Sequence, residues 1–158
     1  MPRAIQDDYP DDVAHCYGCG RLNPHGHQLK TVWEGDEVVA RFTPAPYHTA
    51  IPGYVYGGLI ASLVDCHGTG TAAAVAARAA GGVIPGQAPR FVTASLKVDY
   101  LRPTPLGPEL VVRGRAKEST ERKVVVESTV SCGDEVTARG RVVAVRMPES
   151  MVAKVGQG

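Results

Sequence analysis

The sequence lacks the features of a nucleic-acid-binding, secreted or membrane-spanning protein. Its formal net charge is only +1 over 158 residues, so there is no basic excess to attract a phosphate backbone. Residues 1–12 are polar and acidic, without the hydrophobic core of a signal peptide. The longest apolar stretch, 59–80, is interrupted by Asp65, His67 and Arg78, which argues against a membrane span. We therefore expect a cytoplasmic protein that binds neither nucleic acid nor membrane.

The common nucleotide-binding motifs are also missing. The sequence has no Walker glycine–lysine loop and no Rossmann glycine fingerprint. This argues against nucleotide hydrolysis and against redox chemistry with a dinucleotide. A chain of 158 residues is nevertheless long enough for one domain with a sizeable core.

Cysteine is scarce, with four residues, of which Cys16 and Cys19 form a single CxxC pair. A structural zinc site normally needs four ligands, often from two such pairs. Three histidines close by in the sequence would supply further ligands: His15, His25 and His27. Their spacing is not that of a standard zinc finger. We therefore interpret residues 16–20 as a tight turn with reduced thiols, and we expect no metal.

The sequence does contain a long apolar segment that starts at a glycine pair. Apolar residues recur at helical spacing over 57–79, which predicts a helix. The N–H groups at its start, Gly57 and Gly58, have no intrahelical partner and can hold an oxyanion. Asp65 follows two turns later, and a carboxylate in an apolar helix costs free energy unless it is paired, hydrated or used. Together these features predict a site for carbonyl chemistry.

The remaining sequence predicts β-strands. They form a first pair, 29–33 and 37–43, and a four-stranded antiparallel meander, 91–101, 109–119, 122–132 and 135–146. Strands segregated from a helix indicate an α+β protein. Since the helix has no polar face, the simplest arrangement is a curved antiparallel sheet wrapped around it. We expect a loose N-terminal arm (1–14), a single domain (15–147) and a mobile C-terminal tail (148–158).

Four motifs stand in order along the chain: Cys16-Tyr17-Gly18-Cys19-Gly20 with Asn23-Pro24, His48 with Pro52-Gly53, Tyr56-Gly57-Gly58 followed by Asp65, and Thr93 with Tyr100-Leu101-Arg102-Pro103. This set resembles the hotdog-fold thioesterases, in particular the branch related to phenylacetate-pathway acyl-CoA thioesterases. The resemblance implies a hotdog fold that forms homodimers and often homotetramers, with active sites between subunits. It also implies hydrolysis of acyl thioesters of coenzyme A or a carrier protein, without a metal or organic cofactor.

The resemblance also assigns catalytic roles. Asp65 would act as general base or nucleophile, and Gly57 and Gly58 would form the oxyanion hole. Thr93 would orient the water or the carboxylate. Tyr56 stands where the family usually has a histidine. Each role has a structural alternative: Asp65 as a cap or ion-pair partner, the glycines as close-packing residues, and Thr93 as a solvated strand residue.

Five residues are candidates for substrate binding: His48, Tyr56, His67, Arg90 and Arg102. His48 and Tyr56 precede the helix and would line the acyl pocket or brace its loop. Arg90 and Arg102 suit the phosphates of coenzyme A, and are alternatively surface charges. His67, two residues after Asp65, points to a different face of the helix. It would act across a dimer or form hydrogen bonds at the interface.

The sequence thus predicts an acyl-CoA thioesterase, with coenzyme A entering only as part of the substrate. Two alternatives stay open. A non-catalytic acyl-CoA-binding module would use the same cleft and helix end, and a hydratase or dehydratase shares the fold family but usually has a catalytic histidine and a carboxylate at a different placement. A zinc-linked interaction module is a more distant alternative.

Overall fold

The computed structural model describes residues 2–151 and consists of one long helix enclosed by one antiparallel sheet. The elements are the helix α1 (Gly57–Ala79) and the strands β1 (Thr31–Glu34), β2 (Glu37–Phe42), β3 (Phe91–Tyr100), β4 (Leu110–Ser119), β5 (Lys123–Cys132) and β6 (Glu135–Arg146). All six strands belong to the one sheet, which curves around α1. The architecture confirms the α+β class and the hotdog fold that the sequence predicts.

The helix α1 has the predicted bounds. Past its end, Gly81 and Gly82 have φ angles of 95° and 128°, which favour glycine. The N–H group of Gly82 donates to the carbonyl oxygen of Ala77 at 2.9 Å and closes the last turn. The helix α1 is long and apolar enough to span a membrane, but 72% of its apolar 18-residue stretch is buried within the fold. It is the core element around which the sheet packs.

Glycines let this helix approach the sheet closely. A Cβ atom on Gly68 of α1 would lie 2.5 Å from the side chain of Val142 on β6. A Cβ atom on Gly140 of β6 would lie 2.2 Å from the side chain of Val64 on α1. Both valines are buried, so side chains of one element fill the space left by glycines of the other. This packing fixes the rotation of α1, and with it the side to which Asp65 points.

The strand order, β1-β2-β4-β5-β6-β3, corrects the predicted four-stranded meander. Strands β4, β5 and β6 do follow one another, but β3 pairs with β6 and not with β4. The segment between β3 and β4 contains Pro103, Pro105 and Pro108, which cannot donate ladder hydrogen bonds and oppose a tight hairpin. This segment carries the chain past β6 and β5 to the position of β4, and β3 is left at the end of the sheet with a free edge within the described chain.

The N-terminal segment differs from the loose arm expected for 1–14. Its described part forms two short 3-10 helices, Ile5–Asp8 and Asp11–Val13, and Ile5 and Tyr9 are buried in the core. The side-chain oxygen of Gln6 accepts a hydrogen bond from the N–H of Thr31 at 2.9 Å. Polar residues predominate here, but these few buried side chains anchor the segment. Of the expected mobile tail, residues 148–151 form one turn, and 152–158 lie outside the described residues.

Candidate active site

The start of α1 offers two backbone donors. Tyr56 is the N-cap residue of the helix, and its side chain accepts no hydrogen bond from the first turn. Its carbonyl oxygen accepts from the N–H groups of Leu59 and Ile60, at 3.1 and 3.4 Å. The N–H groups of Gly57 and Gly58 have no acceptor among residues 2–151. They are therefore free to bind an oxygen atom of a ligand, with the positive end of the helix dipole behind them.

Two tyrosines frame these donors. The Tyr100 hydroxyl group on β3 donates to the carbonyl oxygen of Gly57 at 2.7 Å. The Tyr56 ring covers Gly58 so closely that a Cβ atom there would lie 2.4 Å from it. Burial, together with the nearby Tyr56, raises the pKa of Tyr100, so it stays a neutral donor near pH 7. From the sequence, Tyr100 was named only as part of a motif. Its place at the end of a strand with alternating apolar and polar residues was the signal that could have identified it as a site residue.

Asp65 lies on the accessible side of α1 and contacts the edge strand. The hydroxyl group of Thr93 donates to Asp65 Oδ1 at 2.5 Å. Thr93 begins a register shift in β3, where Ala94 has no partner on β6 and Ser95 pairs with Val143. Such a bulge re-aims side chains. The structure thus brings together two of the predicted catalytic residues, with Asp65 half-buried and not sealed in the core.

His67 is not where a substrate-binding residue would lie. Its side chain is fully buried between α1 and the sheet, with ring nitrogens 3.4 Å from the hydroxyl groups of Thr31 and Thr71. Burial lowers the pKa of His67 to about 4, so the ring is neutral near pH 7. The prediction that it contacts substrate is wrong for this structure, because residue i+2 on the helix faces the opposite side from Asp65.

The two predicted phosphate-binding arginines have different environments. Arg90 is turned inward, with its guanidinium group 4.8 Å from the centre of the Tyr9 ring and donating to the carbonyl oxygen of Phe91 at 2.6 Å. It is not presented to a ligand, which corrects its predicted role. Arg102 is exposed just after β3 and pairs with Glu135, so its charge remains accessible at the edge of the sheet.

His48 holds the loop before the helix in place. Its Nδ1 accepts a hydrogen bond from the N–H of Ala45 at 2.8 Å, and its carbonyl oxygen accepts from the N–H of Tyr56. The ring packs against His27 and Phe42. These contacts favour the loop-bracing interpretation over direct contact with an acyl group.

Three thiols meet behind this site. Cys66, which follows Asp65 on α1, approaches the turn that carries Cys16 and Cys19, and the three sulfur atoms lie within 4.8 Å of one another. Hydrogen bonds from the Cys19 and Cys66 thiols lower the pKa of Cys16. The sequence missed Cys66 because it is remote from the CxxC pair in the chain. The histidines near the pair are not part of the cluster.

Comparisons with known proteins agree with this fold. A family model described as the thioesterase superfamily matches residues 52–138, from the loop before α1 to β6. A thioesterase superfamily protein from Shewanella loihica PV-4 is 51% identical, with a TM-score of 0.66, and the match covers 87% of this chain and 98% of that one. The E. coli PaaI protein of the phenylacetic acid degradation operon shares the fold, with 15% identity and a TM-score of 0.62 over 77% of this chain and 81% of that one.

Curated relatives match over a shorter span. The acyl-coenzyme A thioesterase THEM4 of Xenopus laevis is 33% identical over 98 residues, which are 62% of this chain and 39% of that protein. The chain therefore matches only about two fifths of the length of this curated relative. The family model over residues 52–138 and the 51% identical structure, which matches 87% of this chain, settle the family that the motifs suggested: the chain belongs to the thioesterase superfamily.

Proposed function

We propose that this protein hydrolyses an acyl-CoA thioester. The observation that carries the proposal is the half-buried Asp65 carboxylate, held by Thr93 on the accessible side of a helix whose first two N–H groups are free. The Asp65 carboxylate supplies an acid–base or nucleophilic group, and the N–H groups at the helix start supply donors for an oxyanion. Acyl transfer needs both.

In the general-base route, the Asp65 carboxylate takes a proton from water as the water oxygen attacks the thioester carbonyl carbon. The negative charge that develops on the carbonyl oxygen is stabilised by the N–H groups of Gly57 and Gly58. One such donor is typically worth about 3 kcal/mol of barrier. The tetrahedral intermediate then expels the coenzyme A thiolate and leaves a carboxylic acid. The thiolate takes up the proton that Asp65 removed from water, so the carboxylate is regenerated.

In the nucleophilic route, Asp65 itself attacks the carbonyl carbon, expels the thiolate and forms an anhydride that water then hydrolyses. Single-turnover hydrolysis in H₂¹⁸O has one outcome that only the nucleophilic route produces. Water that attacks the Asp65 carbonyl of the anhydride leaves ¹⁸O in the peptide containing Asp65. The general-base route, or attack on the acyl carbonyl, puts ¹⁸O only in the product acid.

The active site is proposed to form between two copies of the chain. A carbonyl oxygen bound at the helix start lies about 3 Å from its donors, whereas Asp65 of the same chain is about 10 Å further along the axis from Gly58. The ten-residue strand β3 has a free edge in the described chain and exposes Leu96 and Tyr100. Long free edges favour pairing with another strand. Pairing of β3 with its copy would join the two sheets next to Thr93.

The relatives support coenzyme A as the thiol. The THEM4 proteins of frog, rat and mouse are named acyl-coenzyme A thioesterases. The smu.793 protein of Streptococcus mutans UA159, which shares the fold at 21% identity and a TM-score of 0.55, was crystallised bound to acetyl CoA. In this chain, the exposed Arg102 is proposed to contact the phosphates of coenzyme A.

The proposal is tested with a panel of short-chain, long-chain and aryl acyl-CoAs, with released thiol measured for the wild-type protein. Catalytic thiol release from at least one of them would support hydrolysis. Tight binding of the panel without thiol release would replace the proposal with a binding module. Hydration of an enoyl-CoA with the thioester intact would replace it with a hydratase.

A further inference from the structure

The thiol cluster behind the candidate active site has no part in the proposed hydrolysis. We propose that Cys16, Cys19 and Cys66 bind one thiophilic divalent cation of the zinc class, which ties the N-terminal turn to the helix carrying Asp65. This metal would be structural, and no step of the reaction passes through it.

The spacing of the sulfur atoms suits a metal better than a disulfide bond. The sulfur atoms of Cys16 and Cys66 are 3.8 Å apart, and all three lie within 4.8 Å of one another. Two thiolates on a tetrahedral zinc ion, with Zn–S bonds of about 2.3 Å, are separated by about 3.8 Å. A disulfide bond requires about 2.05 Å.

The backbone is shaped to let the third thiol reach the turn. A Cβ atom on Gly18 would lie 2.2 Å from the sulfur of Cys66, so only glycine permits this approach. A Cβ atom on Gly20 would lie 2.4 Å from the backbone nitrogen of Cys16, and the Gly20 N–H donates to the Cys16 carbonyl oxygen at 2.7 Å. The turn is thus closed on itself, and the sulfur of Cys66 lies against it at Gly18.

A buried hydroxyl group near the cluster lacks a partner. The side chain of Tyr9 is 1% exposed, and its hydroxyl oxygen has no hydrogen-bond partner among the described residues. Tyr9 belongs to the same buried core cluster as Cys19 and Cys66, and Cys16 packs against that cluster. Buried polar groups without partners are rare and indicate a missing contact. The Tyr9 oxygen is our candidate for the fourth ligand or for a hydrogen-bond donor to a bound thiolate.

The charge balance also fits. Arg90 is turned toward the same region, and within residues 2–151 it forms no ion pair with a carboxylate. Three thiolates on a divalent cation carry a net charge of −1, which Arg90 would neutralise. Binding would release the three thiol protons to solvent. The half-buried Cys16 gives the ion a route into the cluster.

The test uses the wild-type protein first, purified under reducing conditions. We expect about one zinc per chain after reconstitution and removal of unbound metal, and a sulfur-to-cobalt charge-transfer absorption when Co²⁺ is added to the chelator-treated protein. In the zinc-loaded protein, only Cys132 should react readily with a thiol reagent, and chelation should make the other three thiols reactive. Reduced protein that takes up no zinc and gives no cobalt charge-transfer band would overturn the proposal. A native Cys16–Cys66 disulfide bond would also overturn it.

Variants assign the ligands. Cys66→Ser and Cys16→Ser should each weaken Co²⁺ binding at least tenfold and diminish the charge-transfer band, whereas Cys132→Ser, the matched control outside the cluster, should leave both unchanged. Tyr9→Phe should change the cobalt spectrum if the phenol oxygen is a ligand. Loss of metal binding in Cys132→Ser, or its full retention in a folded Cys66→Ser protein, would contradict the assignment.

Discussion

The Thr93 hydroxyl group on β3 donates a hydrogen bond to the Asp65 carboxylate on α1, with the two oxygen atoms 2.5 Å apart. Hydrogen bonds to charged groups contribute about 1.5–3 kcal/mol, equivalent to about 10- to 160-fold in rate. We expect Thr93→Val to lower kcat for acyl-CoA hydrolysis by about that factor with little change in KM, because the carboxylate loses its orientation. Thr93→Ser should recover most of the activity. Steady-state kinetics would exclude a positioning role if Thr93→Val matched the wild type.

The glycine pair provides a matched comparison. A Cβ atom on Gly57 would make ordinary contact with the Tyr100 ring at 3.5 Å, but one on Gly58 would lie 2.4 Å from the Tyr56 ring. Both alanine variants keep the backbone N–H group. We therefore expect Gly57→Ala to retain kcat/KM within about threefold, and Gly58→Ala to lose about tenfold or more.

The Gly58→Ala defect could come from displacement of the Tyr56 ring or from damage to the helix start, and removing the Tyr56 ring distinguishes the two causes. If the Gly58→Ala defect comes from the tyrosine, Gly58→Ala combined with Tyr56→Ala should be more active than Gly58→Ala alone. Equal activity of Gly57→Ala and Gly58→Ala would show that Tyr56 moves aside without consequence.

Burial of His67 predicts a pH dependence of stability. Its folded pKa is lowered to about 4, below the value of about 6.5 in unfolded chains. The unfolded state therefore binds the proton more readily between these values, and stability falls as the pH drops from about 6.5 to 4. The loss is on the order of 3 kcal/mol. Urea unfolding at several pH values should show a smaller loss over this range for His67→Gln than for the wild type, and equal slopes would contradict the assignment.

The sequence predicted most elements of this fold because their signals are local. Neighbouring residues set the bounds of α1, the turn between β5 and β6 at Gly133 and Asp134, and the alternation of apolar and polar residues along the strands. The partner of β3 was predicted wrongly because pairing depends on long-range geometry. The prolines of the segment between β3 and β4 oppose a tight hairpin, but no local pattern specifies that β3 pairs with β6.

The candidate site shows the same division. Asp65 and the glycine pair were proposed as site residues from their spacing along one helix, and the structure places both on α1. Whether the side chains of Arg90, His67 and Cys66 face the core or the solvent depends on tertiary packing. Close contacts such as those at Gly68 and Gly18 determine that packing. Residues that act through tertiary contacts were therefore missed or misassigned.

The free edge of β3 predicts the oligomeric state. Leu96 is exposed on this strand, and a charge there would be buried without a partner in a β3–β3 interface. We expect the wild-type protein to sediment as a dimer or tetramer, and Leu96→Glu to shift it toward monomer and lower its activity. Ile84→Glu, at an exposed apolar residue outside the strands, is the control and should behave as wild type. A monomeric, fully active wild-type protein would refute the two-copy site.

The most direct test of the proposed function is the turnover of an acyl-CoA by Asp65→Asn, compared with the exposed-carboxylate control Asp36→Asn. Isothermal calorimetry with a non-hydrolysable thioether analogue reports binding separately. We predict that Asp65→Asn binds the analogue within about threefold of wild type while kcat falls by about 10²- to 10⁴-fold, and that Asp36→Asn matches wild type in both. An Asp65→Asn protein that hydrolyses acyl-CoA at the wild-type rate would contradict the account.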